Sequence, residues 1–156
     1  MKSGILAAFL LAAVSPIANG SGNAGRIEGV WLANVTLTNC ATGEPLPFPG
    51  AMFDAMAMFA AGGTFHDTNM NPSLVRSSGF GTWQHVRDRV YRFAFRLFNL
   101  DSTGTLPTGS TIVRHRVVLS PDGKSYRSQG MAEFYDVSGV RMLPDGCSKS
   151  TATRFK

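Results

Sequence analysis

Between Arg89 and Phe98 the chain reads Arg-Val-Tyr-Arg-Phe-Ala-Phe-Arg-Leu-Phe. Tyr91, Phe93, Phe95 and Leu97 take every second position, with Val90, Arg92, Ala94 and Arg96 between them. Successive side chains of a strand point to opposite faces. The segment therefore has an aromatic face and a basic face, a period that no helix satisfies. A chain containing it must bury one side of a sheet and wet the other.

The rest of the sequence repeats this design more weakly. In 29–38, Trp31, Ala33, Val35 and Leu37 share one face, and Asn34, Thr36 and Thr38 the other. In 111–119, Val113, His115, Val117 and Leu119 oppose Arg114 and Arg116. Further strands are expected at 64–68, 79–86, 125–135 and over the C-terminal residues, separated by Gly-, Pro- and Asp-containing turns. Residues 51–60 are mixed. Their Ala and Met content favours helix, while Ala61-Gly62-Gly63-Thr64 is a hairpin signal. The expectation is a short helical turn near 51–55, then a strand from about Met56. Pro45, Pro47 and Pro49 keep the preceding stretch out of regular pairing, and 45–58 is a candidate lid.

Eight strands joined by short turns predict an all-β fold, an up-and-down antiparallel sheet. Closing it into a barrel removes the edges that invite aggregation. At 156 residues and 44% hydrophobic composition there is enough chain for one such domain, expected over 29–156. Cys40 lies just past the first strand and Cys147 early in the last. In a closed barrel with an even strand count those places share one end, so a Cys40–Cys147 disulfide across the seam is expected.

The N-terminus has one early Lys, an apolar run to Val14, a Ser15-Pro16 break and small residues to Gly20. That is the pattern of a cleaved signal peptide over 1–20, with 21–28 a flexible leader. The expected location is secreted or periplasmic, where a disulfide persists. No later stretch is apolar enough to cross a membrane as a helix.

Several chemistries find no support. There is no Cys-x-x-Cys or His/Cys cluster for a metal, no Gly-x-Ser-x-Gly elbow and no phosphate loop. The formal charge of +5 is too moderate to predict a nucleic-acid partner. No cofactor and no catalytic residue is predicted. The candidate ligand-lining set is Trp31, Met56, Met58, Trp83, His85, Tyr91, Phe93, Phe95 and His115, with Met supplying adaptable apolar contact and His115 one orienting polar group. Arg92, Arg96, Arg114 and Arg116 fall together on the outer face, either as a solvated surface or as a dock for an anionic surface.

Gly29-Val30-Trp31, in a chain with this strand pattern, resembles the Gly-x-Trp opening of the lipocalins. Arg154 resembles the basic residue that packs across that Trp in the same superfamily. Cys40-Ala-Thr-Gly43, Gly63-Thr64, Gly79-Phe-Gly-Thr-Trp83 and Ala152-Thr-Arg154 resemble a family of small secreted bacterial proteins. The resemblance implies a lipocalin-like barrel, here without a long C-terminal helix, and transfers no catalytic residue. The functional expectation is a barrel that binds a small apolar or amphipathic molecule. The alternatives are an isomerase or cyclase acting on such a molecule, or an interaction protein working through its basic face.

Overall fold

A computed structural model describes residues 26–156. The signal-peptide reading of 1–20, and the leader as far as residue 25, lie outside the described residues. The strands are β1 (Gly29–Thr38), β2 (Met52–Phe59), β3 (Thr64–Asn69), β4 (Gly79–Arg87), β5 (Val90–Leu100), β6 (Pro107–Leu119), β7 (Ser125–Tyr135) and β8 (Arg141–Arg154). Each pairs antiparallel with the next, and β8 returns to β1 to close the barrel. The closing register runs from Trp31 opposite Arg154 to Thr38 opposite Cys147. No helix occurs among the described residues. This is the all-β, eight-stranded up-and-down antiparallel architecture expected from the alternation.

The aromatic face of β5 is the inner one. Tyr91, Phe93, Phe95 and Leu97 are buried, as are His115, Val117 and Leu119 on β6. Arg92, Arg96, Arg114 and Arg116 are exposed.

The expected helical turn at 51–55 is absent. Residues 52–59 form one continuous strand paired to both β1 and β3. Helix propensity is a weak prior. Here it loses to the need of two neighbouring strands for backbone partners. The strand's period of two was legible: Ala55, Ala57 and Phe59 are buried, whereas Met52, Met56 and Met58 stand outside.

The two ends of the barrel differ. One carries the short β2–β3, β4–β5 and β6–β7 turns together with residues 26–28 and the C-terminal residues, and it is plugged. Trp31, Ile27, Phe59, Phe65, Val117 and Leu119 have the largest fully buried side chains. Phe59 meets Phe65, Trp83, Phe93 and Tyr126 edge-on, at centroid separations of 4.9–6.0 Å. Such pairs add stabilisation beyond their buried area.

Residues 26–28 belong to this plug and are not a flexible leader. The Trp31 indole N–H donates to the Ile27 carbonyl at 2.8 Å. Arg154 lies over the Trp31 ring, 4.2 Å from its centroid. Its guanidinium donates to the carbonyls of Arg26, Glu28 and Gly123. A Cβ on Gly29, which has φ +130°, would sit 2.7 Å from Arg154 Nη1. Gly29, Trp31 and Arg154 thus form one unit, as the resemblance implies.

The other end carries the longer connections 39–51, 70–78, 101–106 and 136–140. Cys40 and Cys147 are bonded there, with Cα atoms 5.2 Å apart.

Candidate functional site

The barrel is full at its plugged end and hollow towards the disulfide end. A cavity of about 350 Å³ lies beneath the longer loops. Its aromatic wall comes from Phe53, Phe65, Phe93 and Phe95. The facing wall is Val113, His115, Ser148 and Ser150, and Tyr126 and Ala33 also contribute. Leu46 from the first loop and Leu74 from the second overhang it. Of the candidate lid, then, the loop part contributes Leu46, while 52–58 is strand.

Three expected lining residues do line this cavity: Phe93, Phe95 and His115. The others stand elsewhere. Trp31 and Tyr91 are buried in the plugged half. Trp83 is there too, its indole N–H donating to the Ala60 carbonyl at 2.8 Å. His85 is exposed at the β4–β5 turn, its Nε2 2.8 Å from the Asp88 carbonyl oxygen. Met56 and Met58 are about 40% exposed on the outer face. Alternation assigned most of these side chains to the inner face of the barrel. It carried no information on height along the axis, which separates plug from cavity.

Strand glycines do not hollow the interior. A Cβ on Gly79 would collide with the Phe95 ring, and one on Gly130 with His115 and the Arg114 carbonyl. Each missing side chain is replaced by a neighbour pressing in, so these glycines position cavity-lining groups.

His115 is held on both sides. Nδ1 is 2.7 Å from Ser128 Oγ and Nε2 is 2.9 Å from Ser148 Oγ. Ser128 Oγ is 2.7 Å from Ser150 Oγ, and Phe93 stacks on the imidazole at 5.2 Å. Burial depresses the imidazole pKa to about 4, because charge is disfavoured away from water. His115 is therefore neutral near pH 7, with one ring nitrogen donating and the other accepting. Among the described residues its ring partners are serines and not a carboxylate, which differs from a nucleophile–base–acid triad. With both ring nitrogens engaged, it acts on a ligand through the serine hydroxyls, which can pass on a hydrogen bond or a proton.

Residues missed in the sequence complete the site. Ser128, Ser148 and Ser150 fall on inward positions of β7 and β8, so their parity was legible and their role was not. Asp67 shares the inner face with Phe65, and its ion-pair partner Arg76 comes from the 70–78 loop. That loop is built onto β5. Ser77 N–H donates to the Phe98 carbonyl and Leu100 N–H to the Val75 carbonyl, each at 2.9 Å. Arg76 thereby lies directly opposite Asn99 in an isolated bridge. Directly opposed residues share a face, and Asn99 is buried, bonded to Thr111 Oγ1 at 3.0 Å. The backbone of an irregular loop thus turns an arginine inward.

His115 gives the fold a specific acid sensitivity. An unfolded imidazole takes its proton near pH 6.5, whereas the folded one resists until about 4. Between those values the unfolded state binds more protons, so stability falls as pH falls. The expected loss across this window is about 3 kcal/mol. Asp67 acts in the opposite sense, since burial raises its pKa despite the pull of Arg76. The His115 contribution is therefore the difference in urea-melt pH profiles between the wild type and His115→Gln. The variant's profile should be flatter from pH 6.5 to 4; an unchanged slope would mean that His115 is already charged in the fold.

The outer arginines are partly neutralised. Arg114 pairs with Glu133 at 2.7 Å, and the Arg96 guanidinium lies 5.7 Å from the Tyr135 ring centroid. Arg92 and Arg116 face each other across β5 and β6. Neither has an acidic partner among the described residues.

No group of three or more His, Cys, Asp or Glu side chains suited to a metal ion occurs among the described residues. No family model, curated protein or solved structure matches the chain. The fold and the cavity define the class: a closed eight-stranded antiparallel barrel, consistent with a lipocalin-like fold, stapled by one disulfide and hollow at the stapled end.

Proposed function

We propose that this protein is exported and holds one small apolar or amphipathic molecule in its barrel without turning it over. The observation that carries this reading is the hollow half of an otherwise packed interior. Small-molecule sites of this kind enclose roughly 300–1,000 Å³ and combine apolar walls with a few fixed polar groups. The cavity is at the lower end of that range, with four phenylalanines on one wall and the His115–serine network on the other. Export is supported by the leader-like N-terminus and by the disulfide. An isomerase or cyclase on this barrel would use His115 as its acid or base. Asp67, the one carboxylate lining the cavity among the described residues, is engaged by Arg76, which favours binding over turnover.

The experiment is a titration with N-phenyl-naphthylamine, an uncharged dye that brightens in apolar surroundings. Saturable micromolar binding is expected, lost in Val113→Phe without loss of the cooperative melt, and with dye mass unchanged on extraction. A panel of apolar probes that all fail to bind would defeat the reading. The outer face around Arg92 and Arg116 would then become the leading functional surface, with an anionic surface as its partner.

A further inference from the structure

Arg76 holds the most informative atom in the cavity. Its side chain is only 5% exposed. Nη2 donates to the carboxylate and the backbone carbonyl of Asp67, whereas Nη1 is buried with no hydrogen-bond partner among the described residues. Arginine is rarely buried unless paired, and an unmade hydrogen bond on a charged group is costly. Native structures seldom leave such a group unanswered. Arg76 lines the cavity, and a turn of its guanidinium towards that space would let a bound molecule supply the acceptor that Nη1 lacks.

The charge balance around Arg76 limits what that acceptor is. The ionisable groups lining the cavity are Asp67, Arg76, His115 and Tyr126. Asp67 and Arg76 form an ion pair in which Arg76 opposes the upward push of burial on the Asp67 pKa, His115 is neutral, and burial holds the Tyr126 phenol protonated. The cavity is therefore polar but carries no net charge. A carboxylate at Nη1 would bring a second anion beside Asp67 in a site that screens charge poorly, and an uncompensated buried charge is expensive. A carbonyl oxygen would satisfy the same N–H and leave the balance at zero.

We infer that the cavity selects an uncharged amphiphile bearing a carbonyl, such as an ester or amide of a short apolar chain, with the carbonyl oxygen accepting from Arg76 Nη1 and the chain lying among Phe65, Phe95 and Val113. The corresponding free carboxylate is discriminated against by Asp67. This inference rests on the binding reading above and narrows its ligand class.

The test is displacement of N-phenyl-naphthylamine by methyl octanoate and by octanoate at neutral pH. Wild-type protein should prefer the ester by about tenfold or more. Any apolar cavity would favour an ester over a carboxylate to some degree, so the decisive measurements are on variants. Asp67→Asn leaves Arg76 without its counter-charge and should invert the preference towards octanoate. Arg76→Lys keeps a cation opposite Asp67 but removes the second nitrogen arm. It should weaken methyl octanoate about tenfold while leaving n-nonane, which has no acceptor, unaffected. Circular dichroism melts establish that each variant folds, and Arg76→Lys decides alone if Asp67→Asn does not. Equal ester and nonane responses in Arg76→Lys, or an unchanged order in a folded Asp67→Asn, would overturn the inference while ligand binding stands. If neither dye nor ester binds, with calorimetry silent for both, the binding reading falls and this inference with it.

Discussion

Replacing Phe65 with Ala is expected to lower the unfolding free energy by about 3–5 kcal/mol. Phe65 is 1% exposed and stacks on Phe93 at 4.4 Å, with Phe59 and Phe95 also in contact. It stands where the packed half of the barrel gives way to the hollow half. Neighbours supported on only one side cannot readily close the gap, so the loss of transfer free energy and the new void add. Phe80, on the outer face of β4, is 65% exposed. Phe80→Ala should stay within about 0.5 kcal/mol of wild type. Urea melts of both variants measure the difference. A larger loss for Phe80 would mean that the sheet has been read inside out.

The second large effect is expected at the seam. Cys40 and Cys147 are separated by 107 residues in sequence and joined where β1 meets β8. A cross-link of that length removes much of the freedom of the unfolded chain, worth roughly 3–5 kcal/mol in the chain-entropy account. Cys40→Ser/Cys147→Ser should lose about that much, with the denaturation midpoint moving down accordingly. Intact mass of the purified wild type, with and without reductant, should show both cysteines oxidised. A double variant as stable as wild type would show that the native bond is strained enough to cancel its entropic gain.

The barrel was legible because closure uses the simplest sequence signal, alternation, repeated between short turns. The aromatic face of β5 and the alternating residues of β1 and β6 fell on the correct sides. β2 was read partly as helix because Ala and Met favour helix locally, and only pairing on both sides selects the strand. Met56 and Met58 entered the candidate lining set for the adaptable apolar contact that Met offers, although their parity sets them opposite Ala55, Ala57 and Phe59. The plug was hidden for another reason. Ile27 lies in a stretch that reads as linker and is buried only because Arg154, over a hundred residues away, clamps the backbone around it. The most consequential residue, Arg76, left no periodic trace at all. Its inward direction comes from a loop bridge to Asn99, and its ion pair with Asp67 required the folded positions of both.

The pairing of the first strand with the last also sets an order of events. Seven of the eight strand pairings join sequence neighbours and can form from local hairpins as the chain emerges. The eighth needs β8, whose last residue is Arg154. Until that strand is available, β1 and β7 are bare edges. The Trp31–Arg154 stack that pins residues 26–28 cannot exist either. Closure of the β1–β8 seam is therefore expected to be the late step of folding, since long-range contacts must overcome loop entropy before they are rewarded. Any delay there leaves a partly formed sheet with two open edges, the species most able to recruit another chain.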